Sequence, residues 1–365
     1  MAAQIAALDK HACPACGAQA EWNPTQQKLV CPFCGTESPY RIDHTTGAVV
    51  EVDLVRALRE LPDEERGWNT ERRTVQCMSC KAVMVFEPSR VGQRCEFCGS
   101  PTLVDYTAIK SPIRPQGVVP FTVDSSRVRD DMRRWWRSKW FAPSRLARSA
   151  LVDTLHSLYV PYWTFDANVT CPWQAEAGHY YYVPVMGRDA KGRPIMRQER
   201  RVRWEPASGM VTHFFDDDPV PGTRGLPVDL LRAVEPFPTR DAKPYDTAFL
   251  SGHVVEHYQV VLLEAAQRSQ EQMHRMLEAM CARQVPGDTF RNLRISPAYD
   301  RRTFKHVLVP VWVLAYNYGG KPYQVVVNGI TGAIAGRYPL STWKIVGLIA
   351  LALVIGAILV LSNQG

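Results

Sequence analysis

Eight of the ten cysteines form two sets with the same spacing, and this repeat constrains the fold more than any other feature of the chain. Each set consists of two Cys-x2-Cys pairs with fourteen residues between them: Cys13, Cys16, Cys31 and Cys34, then Cys77, Cys80, Cys95 and Cys98. A Cys-x2-Cys turn offers two sulfurs to one metal ion, and the spacer forms a hairpin that brings the second pair to it. The spacing therefore predicts two zinc ribbons, each closed around one structural Zn2+.

The alternative for these cysteines is a set of disulfides, which requires an oxidising compartment. The N-terminus shows no basic region followed by an apolar stretch that would indicate a secretion signal. We therefore expect thiolates that bind zinc in a reducing compartment. Cys171 and Cys281 each stand alone in the sequence, and the spacing assigns them no role.

The charge of the chain gives little support to nucleic-acid binding. The 365 residues carry a formal net charge of +7, which is mildly basic. Eight thiolates and two Zn2+ ions would lower that charge to about +3.

The C-terminal part of the chain contains an uninterrupted apolar run of seventeen residues, from Ile345 to Leu361. At about 1.5 Å per residue, a helix of this length covers roughly 26 Å, close to the hydrocarbon thickness of a bilayer. Trp343 and Lys344 precede the run, where aromatic and basic side chains meet a membrane interface. Basic residues precede the run and none follows it, so we predict one C-terminal transmembrane helix with the N-terminal bulk in the cytoplasm.

The rest of the pattern predicts a multidomain α+β protein with a strand-rich α+β region in the cytoplasm. Turn signals and Pro clusters divide the chain into zinc ribbon 1 at 1–40, a connector at 41–72, zinc ribbon 2 at 73–105, a Pro-rich linker at 106–124, the α+β region at 125–340 and the anchor at 341–365. Val-Pro-Tyr-Trp at 160–163 resembles Val-Pro-Val-Trp at 309–312. This echo suggests two related β units, and chance convergence on an edge-strand Pro beside a buried Trp is the alternative.

Residues 253–257 read His-Val-Val-Glu-His, the H-x-x-E-H string of inverted zinc metalloproteases. That chemistry requires a helix, on which His253 and His257 share one face while Glu256 activates water. Gly252 precedes the string and β-branched residues fill its centre, so we predict a strand and interpret the string as non-catalytic. The chain also lacks a G-x4-G-K-[ST] phosphate loop, so helicase activity is not expected, and we predict no enzymatic activity.

Three consecutive aspartates, Asp216, Asp217 and Asp218, precede Pro219. They lack the alternating oxygen-ligand spacing of a calcium loop. We therefore expect a solvated acidic turn.

A basic helix is predicted after Ser125 and Ser126, which are suitable capping residues. Residues 127–148 carry eight Arg or Lys against two Asp, interleaved with three tryptophans. The candidate surface for lipid headgroups or nucleic acid consists of Arg133, Arg134, Arg137 and Lys139. The alternative is an ordinary solvated face over core tryptophans.

The paired ribbons, the segment WFAPSRLARSALVDTLHSLYVPYWTFDA at 140–167, the hairpin that begins VLVPVWVLAYNYGG at 307 and the apolar C-terminal run together resemble bacterial TFIIB-type zinc-ribbon membrane proteins. The likeness covers nearly the whole chain, and its most specific parts are the Val-Pro-x-Trp and Val-Asn-Gly-x-Thr-Gly segments. Members are often labelled as primosomal helicase relatives. This chain lacks the phosphate loop that such an activity requires.

The resemblance implies a non-enzymatic, membrane-anchored adaptor at the bacterial cytoplasmic (inner) membrane. Such proteins are typically encoded beside SPFH, TPM-domain and phage-shock protein A genes, which implies partners of these types and a role in envelope maintenance or stress. The resemblance places the metal ligands on the eight ribbon cysteines and offers no catalytic residue. A membrane-tethered nucleic-acid binder and a metalloprotease are the alternatives.

Overall fold

The computed structural model describes residues 13–38, 49–59, 73–86, 95–98, 100, 103–105, 113–143, 155–188, 194–318 and 321–362. Within these residues, a strand-rich α+β body is built around two long antiparallel strands, β8 (Leu155–Arg188) and β13 (Ala298–Tyr318). Residues 158–167 and 304–314 of these strands are buried without a break. Both faces of the sheet are covered there, so even the few polar residues of the two segments, among them Lys305 and His306, are buried.

The two Val-Pro-x-Trp segments lie side by side at the centre of this sheet, with Val160 directly opposite Val309. The outer edges of the two strands have equivalent neighbours. β11 (Val254–Glu256) runs parallel to β8 just before Val160, and β7 (Gly117–Val118) runs parallel to β13 just before Val309. Each strand is then followed by its own hairpin partner, β9 (Pro194–Pro221) for β8 and β14 (Lys321–Asn328) for β13.

The two ribbons join the body in different ways. Ribbon 1 is a separate hairpin of β1 (Glu21–Asn23) and β2 (Lys28–Val30). Ribbon 2 contains β4 (Arg73–Cys77), β5 (Val83–Phe86) and β6 (Leu103–Asp105). Because β5 pairs with β11, ribbon 2 is continuous with the large sheet.

Short strands complete the sheet at its edges: β3 (Val52–Asp53), β10 (Lys243–Pro244), β12 (Thr289–Ile295) and β15 (Ile334–Gly336). The segment predicted as a Pro-rich linker contributes β7, and its Val119, Phe121 and Val123 are buried in the core.

Four helices pack around this sheet: α1 (Leu54–Arg59), α2 (Ser125–Ser138), α3 (Val228–Val234) and α4 (Leu262–Gln284). The N-cap of α2 is Asp124, one residue before the predicted serines, and its carboxylate accepts the backbone N–H of Arg127 at 2.8 Å. α4 buries Met273, Leu277 and Cys281 against one face of the β8–β9 hairpin. Residues 169–175 of β8 therefore alternate between buried and exposed, as expected for a strand that is covered on one side.

The last helix, α5 (Thr342–Ser362), contains the apolar run that predicted a membrane span. Its side chains are described as far as Gly356, with a gap at Leu351, so the end of the predicted span lies outside the described side chains. Among the residues that the structure describes, no helix combines the length and the apolar character needed to cross a membrane. The predicted anchor thus gains no support from the described helices, and anchoring stays a prediction.

Candidate metal centres

The first four-cysteine group is formed by the two turns of ribbon 1. Cys13 Sγ lies 3.5 Å from Cys34 Sγ, and Cys16 Sγ lies 3.5 Å from Cys31 Sγ. A metal ion bound tetrahedrally by four thiolates at about 2.3 Å requires sulfurs about 3.8 Å apart. The four sulfurs all lie within 4.8 Å of one another, so the group fits one metal ion.

The second group repeats this geometry in ribbon 2. Cys77 and Cys98 have their sulfurs 3.6 Å apart, and those of Cys80 and Cys95 are 3.5 Å apart. The four ligand atoms again lie within 4.8 Å of one another. The predicted grouping of these eight cysteines into two clusters, each compact enough for one metal ion, is confirmed.

Three of the turns that hold the cysteines are each followed by a residue in the left-handed backbone conformation. Gly17 and Gly35 have φ values of 74° and 72°, and their N–H groups donate to the carbonyls of Cys13 and Cys31. Lys81 follows the third turn with a φ of 66°, and its N–H donates to Cys77 in the same way. The turn geometry is therefore kept in ribbon 2 even without glycine, because the metal group requires the left-handed residue there.

Hydrogen bonds to Cys34 and Cys95 lower the pKa values of these two thiols. The contact of Cys34 Sγ with the Thr36 hydroxyl, at 3.2 Å, is the main reason why the pKa of Cys34 falls to about 6. The hydrogen bond with Cys80 lowers the pKa of Cys95 to about 6 and raises the pKa of Cys80. Thiolates are the form that binds metal ions, so these hydrogen bonds favour the ligand form of one cysteine in each group.

Ribbon 1 is held on the body by hydrogen bonds at Ala20 and Trp22, on the β1 side of its hairpin. The Trp22 indole donates to the carbonyl of Phe121 at 3.3 Å, and the Trp22 backbone N–H donates to the carbonyl of Ser251 at 3.2 Å. The Ser251 hydroxyl donates to the carbonyl of Ala20 at 2.7 Å. Trp22 and Leu29 are buried in the same core cluster as Phe121, so the first metal group rests on the body as a fixed unit.

Ribbon 2 shares its core with the body. Cys77 and Cys95 belong to the cluster that contains Leu158 and Val160 of β8. Between the two ligands of the last turn, the Glu96 carboxylate contacts His156 of β8. The second metal group is therefore part of the centre of the fold.

The H-x-x-E-H string forms a strand, as predicted. The strand, β11, covers the central residues of the string, Val254–Glu256, and His253 and His257 flank it on either side. The His253 ring stacks on Phe121 with centroids 4.4 Å apart. Glu256 is fully buried, its Oε1 accepts hydrogen bonds from Thr223 at 2.7 Å and Gln259 at 2.8 Å, and burial raises its pKa to about 8. This geometry differs from the helical arrangement that metalloprotease chemistry requires.

Three of the candidate phosphate-binding residues, Arg133, Arg134 and Arg137, lie on α2, and the fourth, Lys139, is its C-cap residue. Arg133 and Arg134 form ion pairs with Asp130 and Asp131 on the same helix, and Lys139 lies over the Trp135 ring at 5.1 Å. Arg137 is exposed near the end of the helix. The tryptophans differ, because Trp136 is buried and Trp140 is 70% exposed.

The residues after α2 contact the start of α5. Lys344 Nζ donates to the carbonyls of Trp140 and Ala142, at 2.8 Å each. Ser341 donates its backbone N–H to Phe141 at 2.7 Å. Trp343 is 84% exposed beside them. We call Lys139, Trp140, Trp343 and Lys344 the collar.

The aspartate run is a correction to the sequence-based expectation. Asp217 and Asp218 lie in β9 and are buried rather than solvated. Lys305 of β13 reaches Asp217 with Nζ 2.6 Å from Oδ1, and Ser269 of α4 donates to Asp218 at 2.6 Å. Burial by itself lowers the pKa of Lys305, but its hydrogen bond to Asp217 raises that pKa above the usual value. Sequence spacing missed Lys305 because its partner is almost ninety residues away.

Cys171 and Cys281, which stand alone in the sequence, meet between β8 and α4. Their sulfurs are 3.8 Å apart and both residues are buried. They lie in the core cluster under α4, away from both metal groups.

Together these features describe a strand-rich α+β protein with two four-cysteine metal groups built onto one body. No family model matches the chain, and no solved structure matches it. It is similar to the uncharacterized protein YdjG of Bacillus subtilis (strain 168), with 24% identity over 242 residues. That match covers 64% of this chain and 66% of the relative, just under two thirds of the relative's length.

Proposed function

We propose that this chain is a non-enzymatic adaptor that holds Zn2+ in both four-cysteine groups, is attached to the cytoplasmic membrane through α5, and recruits soluble partner proteins there. By the resemblance stated above, these partners are of the SPFH, TPM-domain or phage-shock protein A type. The observation that carries the proposal is the collar. It places two exposed tryptophans and two lysines around the start of an apolar helix.

Tryptophan and lysine side chains favour the boundary between hydrocarbon and water. Val346, Ile349, Leu353 and Val354 of α5 are exposed, and a water-exposed helix with such side chains would be unfavourable. A bilayer removes this apolar surface from water. The lysines would then meet lipid phosphates.

The four-cysteine composition of both metal groups supports a structural role, in which each ribbon is a rigid element that presents a surface to a partner protein. A four-thiolate Zn2+ site leaves no open coordination position for a substrate, so it acts in structure rather than in catalysis. Phe33, in the turn between Cys31 and Cys34, is 82% exposed and offers an apolar contact at the tip of ribbon 1.

Membrane attachment is tested by alkaline washing of membranes from cells that produce the full chain or a chain ending at Leu340. We expect the full chain to stay with the membranes and the shortened chain to become soluble. Trp140→Ser with Trp343→Ser should weaken retention, whereas Trp312→Phe, a change inside the core, should not. Release of the full chain by the wash would contradict the proposal.

Recruitment is tested by affinity capture from gently solubilised membranes, with Cys77→Ser, Cys80→Ser compared with Cys171→Ser. Loss of captured SPFH or phage-shock proteins in the first variant alone would support docking that depends on ribbon 2. A chain that retains nucleic acid at moderate salt and loses its co-purifying proteins after nuclease treatment would favour the nucleic-acid alternative.

A further inference from the structure

The β8–β9 hairpin extends beyond the body. β12 last pairs with β8 at Gly178, and Asp288 Oδ2 accepts the backbone N–H of Tyr180 at 2.7 Å. Beyond this point, the described residues 179–188 and 194–203 pair only with each other. We call these two segments the arm. At about 3.3 Å per residue, the arm reaches roughly 33 Å from the sheet.

The core of the fold does not require this extension. The equivalent hairpin, β13–β14, pairs over eight residues, from Val311 to Tyr318. β8 and β9 stay paired from Tyr162 to Arg188. Since an unsupported two-stranded hairpin is only marginally stable in water, the additional length points to a surface that a partner covers.

One face of the arm has the composition of an interface. Cross-strand neighbours share a face, and this one carries Tyr180, Tyr182, Met186, Met196 and Arg200. Tyr182, Met186 and Met196 are 61%, 77% and 66% exposed, and the Arg200 guanidinium lies 4.4 Å from the centre of the Tyr180 ring. Tyr, Met and Arg are enriched at the centres of protein interfaces, whereas Lys, Asp and Glu are depleted there. The described residues of this face include none of those three depleted types.

The segment that contains the arm, residues 179–203, is also strongly basic. Residues 179–203 carry seven Arg or Lys against two Asp or Glu, a net charge of +5 in a chain of +7. The opposite face bears Arg197, Arg201 and Arg203. Two such arms repel each other, which disfavours pairing between copies of this chain. The complementary surface is acidic.

The arm lies at the end of β8 that is remote from the collar. β8 begins at Leu155, which lies opposite Leu314 of β13. Two residues further along β13, the Tyr316 hydroxyl donates to the carbonyl of Arg337, shortly before α5. Gly178 is 23 residues further along β8, up to about 76 Å in an extended strand. The arm therefore extends from the end of β8 opposite to the end that lies near α5.

We propose that the arm is the docking element for a soluble protein whose surface is acidic around an apolar centre. The apolar side chains of the first face pack on that centre, and the arginines pair with surrounding carboxylates. This inference rests on the proposed adaptor function and deepens it by locating where the recruited protein binds.

The test is site-specific photo-crosslinking in cells with the full chain. A benzoylphenylalanine residue replaces Tyr182 on the arm or, as a matched control, Met210, which is exposed on the same face nearer the body. We expect a protein adduct at position 182 that is absent at position 210. The captured protein is then identified, purified and titrated against the full chain in detergent.

In that titration, Met186→Glu with Met196→Glu should weaken binding roughly tenfold, because charges replace the apolar centre of the interface. Arg197→Glu with Arg201→Glu should weaken binding and reduce its salt dependence. Met210→Glu and Lys243→Glu, an exposed position of β10, should leave binding unchanged.

An adduct of nucleic acid, lipid or a second copy of this chain would overturn the inference, as would no adduct at position 182 or unchanged binding by the arm variants. If the arm variants keep a partner that Cys77→Ser, Cys80→Ser loses, the adaptor function stands and docking moves to ribbon 2. If no version binds a partner and alkaline washing releases the full chain, the proposed function fails as well.

Discussion

Gln324 donates a hydrogen bond through Nε2 to the backbone carbonyl of Phe97 at 2.6 Å. Gln324 belongs to β14, and Phe97 lies between the last two ligands of the second metal group. Since Cys77 and Cys95 also share a core with β8, the second four-cysteine group is coupled to the body itself.

Metal removal should therefore affect the two groups and the body together. We expect the purified full chain to hold two Zn2+ ions and the variant Cys77→Ser, Cys80→Ser to hold one. The melting temperature of the variant should also be clearly lower, because the missing ligands open a buried cluster. Elemental analysis and thermal unfolding followed by tryptophan fluorescence measure both effects. Cys171→Ser, which lies outside both groups, should keep two ions. Equal metal content in all three chains would refute the assignment.

The buried ion pair of Lys305 and Asp217 should be a major determinant of stability. Lys305→Met leaves the Asp217 carboxylate buried without its partner, which typically costs about 3–5 kcal/mol. Arg337→Met removes an exposed pair with Asp229 and should cost less than about 1 kcal/mol. Urea denaturation compares the two free energies of unfolding, and similar losses would show that the Lys305 pair is not desolvated in solution.

His306 should make stability fall in acid. It is fully buried and stacked on Trp163, and burial, followed by the nearby His257, lowers its pKa to about 3. The unfolded chain binds this proton near pH 6.5, so the free energy of unfolding decreases as the pH falls from 6.5 towards 3, by at most about 1.4 kcal/mol per pH unit from this group.

Unfolding measured between pH 7 and pH 5 checks this dependence. His306→Phe keeps an aromatic ring beside Trp163 but removes the proton, so its profile should be flatter by about one proton, whatever its absolute stability. His274→Phe, at an exposed position of α4, should keep the wild-type slope. Parallel profiles for all three proteins would exclude His306 as the source.

Close packing under the hairpin should make Gly209 intolerant of a side chain. A Cβ at Gly209 would lie 2.6 Å from the Trp173 ring, whereas at Gly187, on the arm, the nearest atom would be 3.8 Å away. We expect Gly209→Ala to cost about 1–3 kcal/mol because the ring must shift, and Gly187→Ala to be neutral or slightly stabilising. Thermal unfolding distinguishes them, and an unchanged melting temperature for Gly209→Ala would show that Trp173 has room to move.

Local spacing in the sequence was sufficient for the metal ligands and for the strand at 254–256. The Cys-x2-Cys pairs define their geometry within a few residues, and the β-branched centre of the H-x-x-E-H string favours a strand without help from distant residues.

The tertiary structure alone decided how these parts come together. The burial of Asp217 depends on Lys305, and the contact of Cys171 with Cys281 depends on α4 packing on β8, so neither is visible in local spacing. The length of the arm is not visible in local sequence, because Gly, Asp and Pro residues along β8 and β9 disfavour strands, whereas strand pairing with a partner overrides such local preferences. The sequence by itself determined the chemistry of the two metal groups, because metal geometry needs only ligands a few residues apart. Their place in the body, and the reach of the arm beyond it, were decided by strand pairing between residues far apart in the chain.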